Sequence, residues 1–352
     1  MLFEVLSAAA VAFTVSFAAC AAQLRSGPVD IPDVARKAHS SPTPTGGGIG
    51  VGIGFAAAII ALSVLSHVVS DEMTTVGAGY FTVAAVFAYA FMMIGFADDA
   101  RPIGPRLKFA LFAVIALAAC YVLGPVREFR FGFGVVEYLP LWAGLIGSAM
   151  WLFTMVNCVN FMDGANGLAM GAMAIGLSWL GVIGFIDGSP ATVSLTFIGA
   201  AALLGFLCWN FPSGRLFAGD SGALFAGALG ALAALIAIHR TGMSPFAAGI
   251  IFFPLLGDAL LTLAWRAGRR RSLLDGHSEH VYQILTRDNW SHARVAVTYW
   301  VAMAACGALA LAVTRMQDSP APWIALLALC VAGMIVSARV RKYALARGIA
   351  EI

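Results

Sequence analysis

Long apolar stretches dominate this chain and constrain its fold more than any other feature. About 11 of them are long enough, at about 20 residues each, to cross a bilayer as a helix. The chain is 61% hydrophobic and only 11% charged, with a mean hydropathy of +0.88, which excludes an ordinary soluble domain. We therefore predict an all-α, polytopic integral membrane helical bundle, with transmembrane helices over residues 2–24, 49–69, 78–97, 107–123, 139–159, 168–186, 191–211, 221–238, 245–265, 295–313 and 322–338.

The positive charges predict how this bundle lies in the membrane. Seventeen of the 21 Lys and Arg residues fall on one side of the map, whereas Arg127, Arg130, Arg240 and Arg315 fall on the other. Cytoplasmic segments of membrane proteins carry the excess of Lys and Arg. The bias predicts an N-terminus outside and a C-terminus in the cytoplasm.

The chain shows no internal repeat and no linker that would separate two cores. We therefore predict one transmembrane domain over residues 1–352, with the first span retained. The six cysteines are scattered through apolar segments without a C-x-x-C pair, which predicts free core thiols rather than disulfides or metal ligands. Polar motifs gather instead in loops on the predicted cytoplasmic face, over residues 25–48, 97–108, 157–168, 211–221 and 266–294.

An acidic pair ends the third predicted span. Asp98 and Asp99 alone would suit a solvated helix end, and Lys108 alone would suit an interfacial anchor. Adjacent helical residues point about 100° apart, so we do not expect one metal ion to take both carboxylates. The alternative is that one Asp contacts substrate or metal while the other holds a base or a loop, with Lys108 as a phosphate ligand.

The segment "NCVNFMDGANGLA" places several amides and one acid at a membrane interface. Such groups are costly to bury unless each finds a partner. Asn160, Asp163 and Asn166 supply hard oxygen ligands of the kind that suit Mg²⁺ shared with substrate phosphates. A second acid, Asp220 in "FAGDSG", would complete such a site. The alternative is an N-cap and turn cluster at 157–166, with Asp220 as a helix cap.

Two histidines follow an arginine run in the longest predicted cytoplasmic loop. His277 and His280 could ligate zinc, but no matching Cys or acidic partner cluster accompanies them. Phosphate binding together with arginines such as Arg271 fits the basic surroundings better. Asp258 lies within the ninth predicted span, where an acid is a functional candidate, and its role stays open. The glycines at 46–48 predict a re-entrant or tightly turned segment in the wall of a cytoplasmic site.

Five motifs occur in a fixed order over residues 39–283: "PTPTGGG", "GFADD" followed by Lys108, N-x-x-N-x-x-D-G-x-N-G-L-A, F-x-G-D-S-G and H-x-x-H. Together they resemble the polyprenyl-phosphate N-acetylhexosamine-1-phosphate transferases. The resemblance implies transfer of N-acetylhexosamine-1-phosphate from a UDP-sugar to undecaprenyl phosphate, with release of UMP. It also implies a requirement for Mg²⁺, with Mn²⁺ as a substitute.

The resemblance assigns roles to this chain's own residues. They are Asp98 and Asp99 as the catalytic pair, Asn160 and Asp220 as metal ligands, Lys108, Arg271, His277 and His280 as phosphate ligands, and Asp163 and Asn166 as nucleotide contacts. The run "HSEHVYQ" resembles the branch that starts O-antigen or capsule-type glycans. The implied setting is the bacterial inner membrane, with the active site on the cytoplasmic face, membrane lipids around it, a homodimer as an ordinary state and no nucleic-acid partner.

A secondary membrane transporter is the alternative from a different class. It too would have many spans, broken helices and an intramembrane acid such as Asp258. Transporters place their sites near the midplane between structural repeats, whereas the polar residues here gather at one interface. A phosphatidyltransferase is excluded, because its D-G-x-x-A-R signature fails after Asp163 and Gly164.

Overall fold

The protein is a bundle of apolar helices in this computed structural model. The structure describes residues 2–26, 29–30, 43–69, 75–273, 278–316 and 318–349. Within them, ten helices are long and apolar enough to cross a membrane, and one bent pair of helices brings the number of spans to as many as eleven. The prediction of an all-α polytopic membrane protein is confirmed. The long helices are α1 (Leu2–Ser26), α2 (Gly47–Val69), α3 (Thr75–Ala100), α4 (Pro105–Leu123), α5 (Leu141–Met162), α6 (Leu168–Ile186), α7 (Pro190–Asn210), α8 (Gly219–Thr241), α12 (His292–Thr314) and α13 (Ala321–Ala346).

The ninth predicted span is not one helix. It consists of α9 (Pro245–Ile251) and α10 (Phe253–Gly268), whose axes differ by 85°. Pro254, in the first turn of α10, has no N–H to donate to the preceding turn, and its ring clashes with a continuous helix at this point. The segment predicted as one helix over 245–265 is therefore two helices with a sharp bend between them, which pass together as one broken span.

Helix α8 forms the centre of the bundle and packs against α3, α5 and α6. Of the apolar 18-residue stretch of α8, 94% is buried inside the bundle. The corresponding share of α13 is only 11%, so α13 faces the surroundings of the bundle. Small residues make this close packing possible. A Cβ on Gly227 would come within 2.9 Å of the Val156 Cα, so α5 and α8 are in backbone contact there.

Short strands connect some of the helices. β1 (Val29–Asp30) pairs antiparallel with β2 (Thr43–Pro44), and β3 (Glu128–Gly132) pairs antiparallel with β4 (Val135–Tyr138). The turn between β3 and β4 has positive φ at Phe133 and Gly134, as a two-residue hairpin with right-handed strand twist requires. The sequence pattern did not predict this hairpin, which lies at the end of the bundle where α4 ends and α5 begins.

The longest predicted cytoplasmic loop contains a further helix, α11 (Val281–Arg287). It packs against α10, α12 and α13, so the segment after residue 277 is ordered by tertiary contacts. The C-terminal ends of α3, α5 and α10 and the N-terminal ends of α4, α8 and α12 all lie at this end of the bundle. At the opposite end, Arg315 forms two hydrogen bonds of 2.7 and 3.0 Å with the Asp187 carboxylate.

Candidate active site

Three helix ends bring the acidic and basic motifs together. Asp98 lies in the last turn of α3, Lys108 in the first turn of α4 and Asp220 in the first turn of α8. The Lys108 Nζ lies 2.9 Å from the Asp98 Oδ2 and also contacts the Asp220 Oδ2. These side chains are largely enclosed, with exposed fractions of 13% for Lys108 and 17% for Asp98. One ammonium group thus bridges two carboxylates that are distant in sequence.

Asn160 extends this cluster from the last turn of α5. Its Nδ2 donates a hydrogen bond of 2.9 Å to the Asp220 Oδ1. Both oxygens of Asp220 are therefore engaged, one by the amide and one by Lys108. The structure thus brings Asp98, Lys108, Asn160 and Asp220 into contact with one another, and the roles assigned to them stay predictions.

Asp99 contacts a different group from Asp98. Its Oδ1 accepts the backbone N–H of Asp220 at 2.8 Å and its Oδ2 accepts that of Ser221 at 3.0 Å. These N–H groups have no partner within their own helix, because they belong to the first turn of α8. Asp98 in turn accepts the Ile103 N–H at 2.6 Å, which fixes the turn between α3 and α4. Asp99 thus holds the start of α8, and the catalytic assignment of the pair stays a prediction.

The glycine run packs directly against the segment that carries Asp220. The N–H groups of Gly47 and Gly48 donate to the Phe217 and Ala218 carbonyls at 2.9 and 2.8 Å. A Cβ on Gly48 would collide with the backbone of Gly222. Glycine is required here because two backbones are in contact. The segment turns tightly at Gly46 and continues as the α2 span, so it is not a re-entrant loop.

Asp163 follows α5 and lies near the acidic cluster. Burial, together with the negative charges of Asp220 and Asp99, raises the pKa of Asp163 well above its ordinary value. A carboxyl group in this environment binds a proton more readily than an exposed Asp does. The nucleotide contact assigned to Asp163 stays a prediction.

The remaining polar residues of this segment fix its path. The Asn166 Nδ2 donates to the Pro212 carbonyl at 3.2 Å, and the Gly167 N–H donates to the Asn210 Oδ1 at 2.5 Å. Gly167 has a φ of +78°, which favours glycine. The segment is thus tied to the end of α7. The nucleotide contact assigned to Asn166 stays a prediction.

Asp258 is buried and organises the start of α11. Its two carboxylate oxygens accept the backbone N–H groups of Val281 at 2.8 Å and Tyr282 at 3.1 Å. The Tyr299 hydroxyl donates to the Oδ2 at 2.6 Å, and Thr262 to the Oδ1 at 3.3 Å. The mid-span acid thus has a structural explanation: it caps a helix that is distant in sequence.

This cap places the histidine loop beside the Asn-rich segment. His280 is 2% exposed, its Nδ1 lies 3.8 Å from the Asp258 Oδ1, and its ring stacks at 6.0 Å on Phe161. The Tyr282 hydroxyl donates to the Phe161 carbonyl at 3.1 Å. His280 is therefore deeply buried here, and its phosphate contact stays a prediction. His277 lies outside the described residues.

The arginines of this loop are engaged with one acid. Glu279 contacts both Arg266 and Arg271 through its carboxylate oxygens. Burial alone would raise the pKa of Glu279, but the two guanidinium groups outweigh it and hold this pKa below its ordinary value. Arg271, predicted to bind phosphate, thus has an intramolecular carboxylate partner that a phosphate would have to displace.

The donor atoms at Asp220 have the chemistry that a magnesium ion needs. Asp220 and Asp98 have carboxylate oxygens and Asn160 has an amide oxygen, but Lys108 and the Asn160 amide now donate to the carboxylates, and a metal ion would have to replace these contacts. Among the described residues, no group of three or more His, Cys, Asp and Glu side chains is arranged to hold an ion without further ligands. Proteins commonly hold Mg²⁺ through one or two carboxylates together with substrate phosphates, and the predicted Mg²⁺ requirement stays a prediction.

Several residues that stabilise the site are not part of any motif in the sequence. Asn210 accepts from Gly167 and donates 2.8 Å to the Leu216 carbonyl, and Glu279 pairs with two arginines. The sequence identifies Asp258 as a mid-span acid, but it does not indicate the partners of Asp258 on α11. Asn210, at the end of a predicted span, was the one position where a buried amide could have been suspected.

Comparison with known proteins agrees with this geometry. Residues 81–238, which include Asp98, Lys108, Asn160 and Asp220, match the family model described as Glycosyl transferase family 4. The chain is 27% identical over 160 residues to a probable undecaprenyl-phosphate N-acetylglucosaminyl 1-phosphate transferase of Bacillus subtilis, covering 46% of this chain and 45% of that protein. The chain is thus similar, over the part that these comparisons cover, to polyprenyl-phosphate hexosamine-phosphate transferases.

Two further relatives have names that differ in the lipid or in the sugar. A decaprenyl-phosphate N-acetylglucosaminephosphotransferase of Mycobacterium leprae is 28% identical over 243 residues, covering 61% of this chain and 60% of that protein. A phospho-N-acetylmuramoyl-pentapeptide-transferase of Oceanobacillus iheyensis is 28% identical over 262 residues, covering 69% and 77%. The matched regions thus span less than two thirds of the Bacillus and Mycobacterium relatives.

Proposed function

We propose that this protein transfers an N-acetylhexosamine-1-phosphate from a UDP-sugar to undecaprenyl phosphate and releases UMP. The observation that carries the proposal is the bridge from Lys108 to Asp98 and Asp220, with Asn160 on the second oxygen of Asp220. The Lys108 ammonium group lies between carboxylates at a helix end, where a phosphate group of a ligand can replace a carboxylate as its partner. The names of the relatives support the same reaction class.

In this reaction an oxygen of the lipid phosphate attacks the β-phosphorus of the UDP-sugar. The new bond joins that oxygen to the β-phosphorus, and the bond to the bridging oxygen breaks, so that UMP leaves with that oxygen. A phosphate monoester has a second pKa near about 6, so the nucleophile is largely a dianion at neutral pH. Deprotonation by Asp98 or Asp99 is then not required, and their contribution is to position Lys108 and α8.

Lys108 is placed to neutralise negative charge on the diphosphate as it moves toward the leaving group. Magnesium bound at Asp220 and Asn160 would supply further charge neutralisation on the same phosphates. Asp163, which follows α5 beside this cluster, would contact the nucleotide. Arg271 and His280 would contact the diphosphate only after a local change in their present contacts.

The glycan context is part of the proposal. The run "HSEHVYQ" favours an O-antigen or capsule-type, lipopolysaccharide-related glycan, made at the cytoplasmic face of a bacterial inner membrane. A muramoyl-pentapeptide donor, as named for the Oceanobacillus relative, is the second candidate within the family. Transport is less favoured than the sequence alone suggested, because Asp258 is engaged by the backbone of α11.

The test is UMP release by purified protein in detergent. Undecaprenyl phosphate is offered with a panel of UDP-N-acetylhexosamines and with UDP-N-acetylmuramoyl-pentapeptide, with and without Mg²⁺ or Mn²⁺. Asp220→Ala is the inactive variant, and Asp318→Asn removes an acid at the opposite end that is 94% exposed. Metal-dependent release with one donor, lost only in Asp220→Ala, is the expected result. Folded protein that releases no UMP with any donor would contradict the proposal.

A further inference from the structure

A cavity of about 500 Å³ lies at the end of the bundle opposite the candidate active site. Its polar lining includes Arg127, Glu128, Arg130, Tyr138, His239 and Ser244. Asp220 and His239 stand at the two ends of α8, separated by about 28 Å of helix at about 1.5 Å per residue. The cavity is therefore separate from the site at Lys108, and its volume is typical of small-ligand pockets.

Arg127, an exposed residue, contacts two parts of the cavity wall. Its Nε donates to the Leu139 carbonyl at 2.8 Å, and its Cγ lies against α5 where a Cβ on Gly144 would come within 2.7 Å of it. No carboxylate of a described residue forms an ion pair with this guanidinium group. The guanidinium group is thus hydrogen-bonded to the wall and has no counterion among the described residues.

The other arginine of the lining, unlike Arg127, has carboxylate partners. Arg130 pairs with Glu128 at 2.7 Å and with Asp318 at 3.4 Å. His239 lies with its Nε2 at 2.9 Å from the Gly124 carbonyl, so that nitrogen is the donor. Asp318 does not line the cavity, so the lining itself has two arginines, Arg127 and Arg130, against one acid, Glu128. This excess of positive charge in the lining favours an anionic ligand.

A buried hydroxyl adds an independent indication of a ligand. Ser244 is 6% exposed, and its Oγ has no hydrogen-bond partner among the described residues. Buried polar atoms in native proteins are nearly always hydrogen-bonded, to protein or to something bound. Arg127 and Ser244, from different parts of the chain, thus both offer donors in the wall of the same cavity.

The surroundings of the cavity suit a membrane interface. The β3–β4 hairpin and the first turn of α5 expose large aromatic side chains, with exposed fractions of 87% for Phe133, 68% for Tyr138 and 67% for Trp142. Aromatic side chains at the ends of spans are typical of the lipid headgroup level. A ligand that enters this cavity would therefore come from the headgroup layer more readily than from bulk water.

We propose that this cavity binds the phosphate of an anionic phospholipid headgroup. The terminal nitrogens of Arg127 would hold the phosphate oxygens in a fork, and the Ser244 hydroxyl would donate to the headgroup. The glycerol and acyl chains would leave beside Tyr138 toward the bilayer. Free phosphate shares the same chemistry, so the experiment separates the two sources.

Thermal unfolding of detergent-solubilised protein measures the binding. Phosphatidylglycerol, phosphatidylcholine and inorganic phosphate are titrated separately into the full-length protein and into Arg127→Ala, Arg127→Lys and Ser244→Ala. Arg240→Ala is the control, because Arg240 lies at the same end of α8 but does not line the cavity. Native mass spectrometry counts the phosphatidylglycerol molecules that stay bound.

Phosphatidylglycerol should raise the unfolding temperature of the unchanged protein and of Arg240→Ala more than phosphatidylcholine does. In Arg127→Ala this rise should fall by at least half and one bound lipid should be lost, with a smaller loss in Arg127→Lys and Ser244→Ala. An equal rise in Arg127→Ala and Arg240→Ala would overturn the proposal. Stabilisation by inorganic phosphate alone would overturn the lipid assignment. If Arg127→Ala does not fold, Arg127→Lys and Ser244→Ala replace it: a smaller rise than in Arg240→Ala supports the proposal, and an equal rise overturns it.

Discussion

The carboxylate of Asp99 accepts the backbone N–H of Asp220 at 2.8 Å, across 121 residues of sequence. Asp99 ends α3 and Asp220 begins α8, so one acid of the pair positions the backbone that carries the predicted metal ligand. Asp98, beside it, contacts Lys108 instead. Adjacent acids in "GFADD" thus have separate partners, which leads to different expectations for their substitution.

Asp99→Asn should weaken the start of α8 more than it changes the chemistry. An amide oxygen accepts one N–H but cannot match two charge-assisted bonds, so we expect a loss of about 1–3 kcal/mol in stability. Turnover should persist with a higher Mg²⁺ requirement, because Asp220 is less well placed. Thermal unfolding and UMP release over a Mg²⁺ series measure both effects. Turnover abolished at every Mg²⁺ concentration in a stable Asp99→Asn protein would instead favour a general base.

Lys108→Met should abolish most activity and change the response to divalent metal. We expect turnover to fall by about 10²–10³-fold, as when one preorganised electrostatic group is lost. Without the ammonium group, Asp98 and Asp220 lack their bridging cation, so Mg²⁺ alone should stabilise Lys108→Met against heat more than it stabilises the unchanged protein.

Arg106→Ala is the matched control for this experiment, because it removes an exposed positive charge two residues earlier. It should leave both turnover and the Mg²⁺ effect on unfolding close to those of the unchanged protein. Equal Mg²⁺ effects in Lys108→Met and Arg106→Ala would show that Lys108 does not occupy the position that a metal ion would share.

Asp258→Asn should loosen α11 without unfolding the bundle. The carboxylate caps Val281 and Tyr282 and accepts the Tyr299 hydroxyl, so its neutralisation removes support from the start of this helix. We expect faster amide hydrogen exchange in residues 281–287, with little change in α8. Tyr299→Phe, which deletes one bond only, should give a smaller effect in the same peptides. Unchanged exchange in Asp258→Asn would show that α11 is held by its apolar contacts instead.

Glu279 should make stability depend on acid pH. Its pKa is lower in the folded state than in the unfolded chain, where it is about 4.3. The contribution of the Glu279 carboxylate to the free energy of unfolding is therefore fully present above the pKa of the unfolded chain. It is lost as the pH falls through the pKa of the folded state. The unfolding temperature of Glu279→Gln should lie below that of the unchanged protein at pH 7, and the two should converge toward pH 3.

The control for the pH series is Glu137→Gln, which removes an exposed carboxylate on β4. Its unfolding temperature should follow that of the unchanged protein throughout. A gap between the unchanged protein and Glu279→Gln that stays constant down to pH 3 would mean that the contribution is not electrostatic.

Gly48→Ala should destabilise the contact between α2 and α8. The added methyl group would collide with the Gly222 backbone, so we expect a cost of about 1–3 kcal/mol and a displaced Asp220. Gly79→Ala is the control, because nothing lies within 4 Å of a Cβ there. Similar unfolding temperatures for both variants would show that α2 can move away without loss.

The sequence by itself determined the membrane class, the positions of the spans and the gathering of polar motifs at one end. These properties are local, because a run of about 20 apolar residues has to form a helix to satisfy its backbone in lipid. The bend after α9 was also readable in principle, since Pro254 cannot continue a helix. The motif order likewise brought Asp98, Lys108, Asn160 and Asp220 together as candidates.

Only the tertiary structure decided which groups pair. The apolar patterns of the helices do not show which polar groups meet. Three such contacts are Asp99 with the start of α8, Asp258 with the start of α11, and Arg266 with Glu279. The physical reason is that lipid is as apolar as the bundle core, so hydropathy cannot show which helix faces meet. The cavity at Arg127 arises in the same way, from a hairpin, α5 and the end of α8 that meet only after folding.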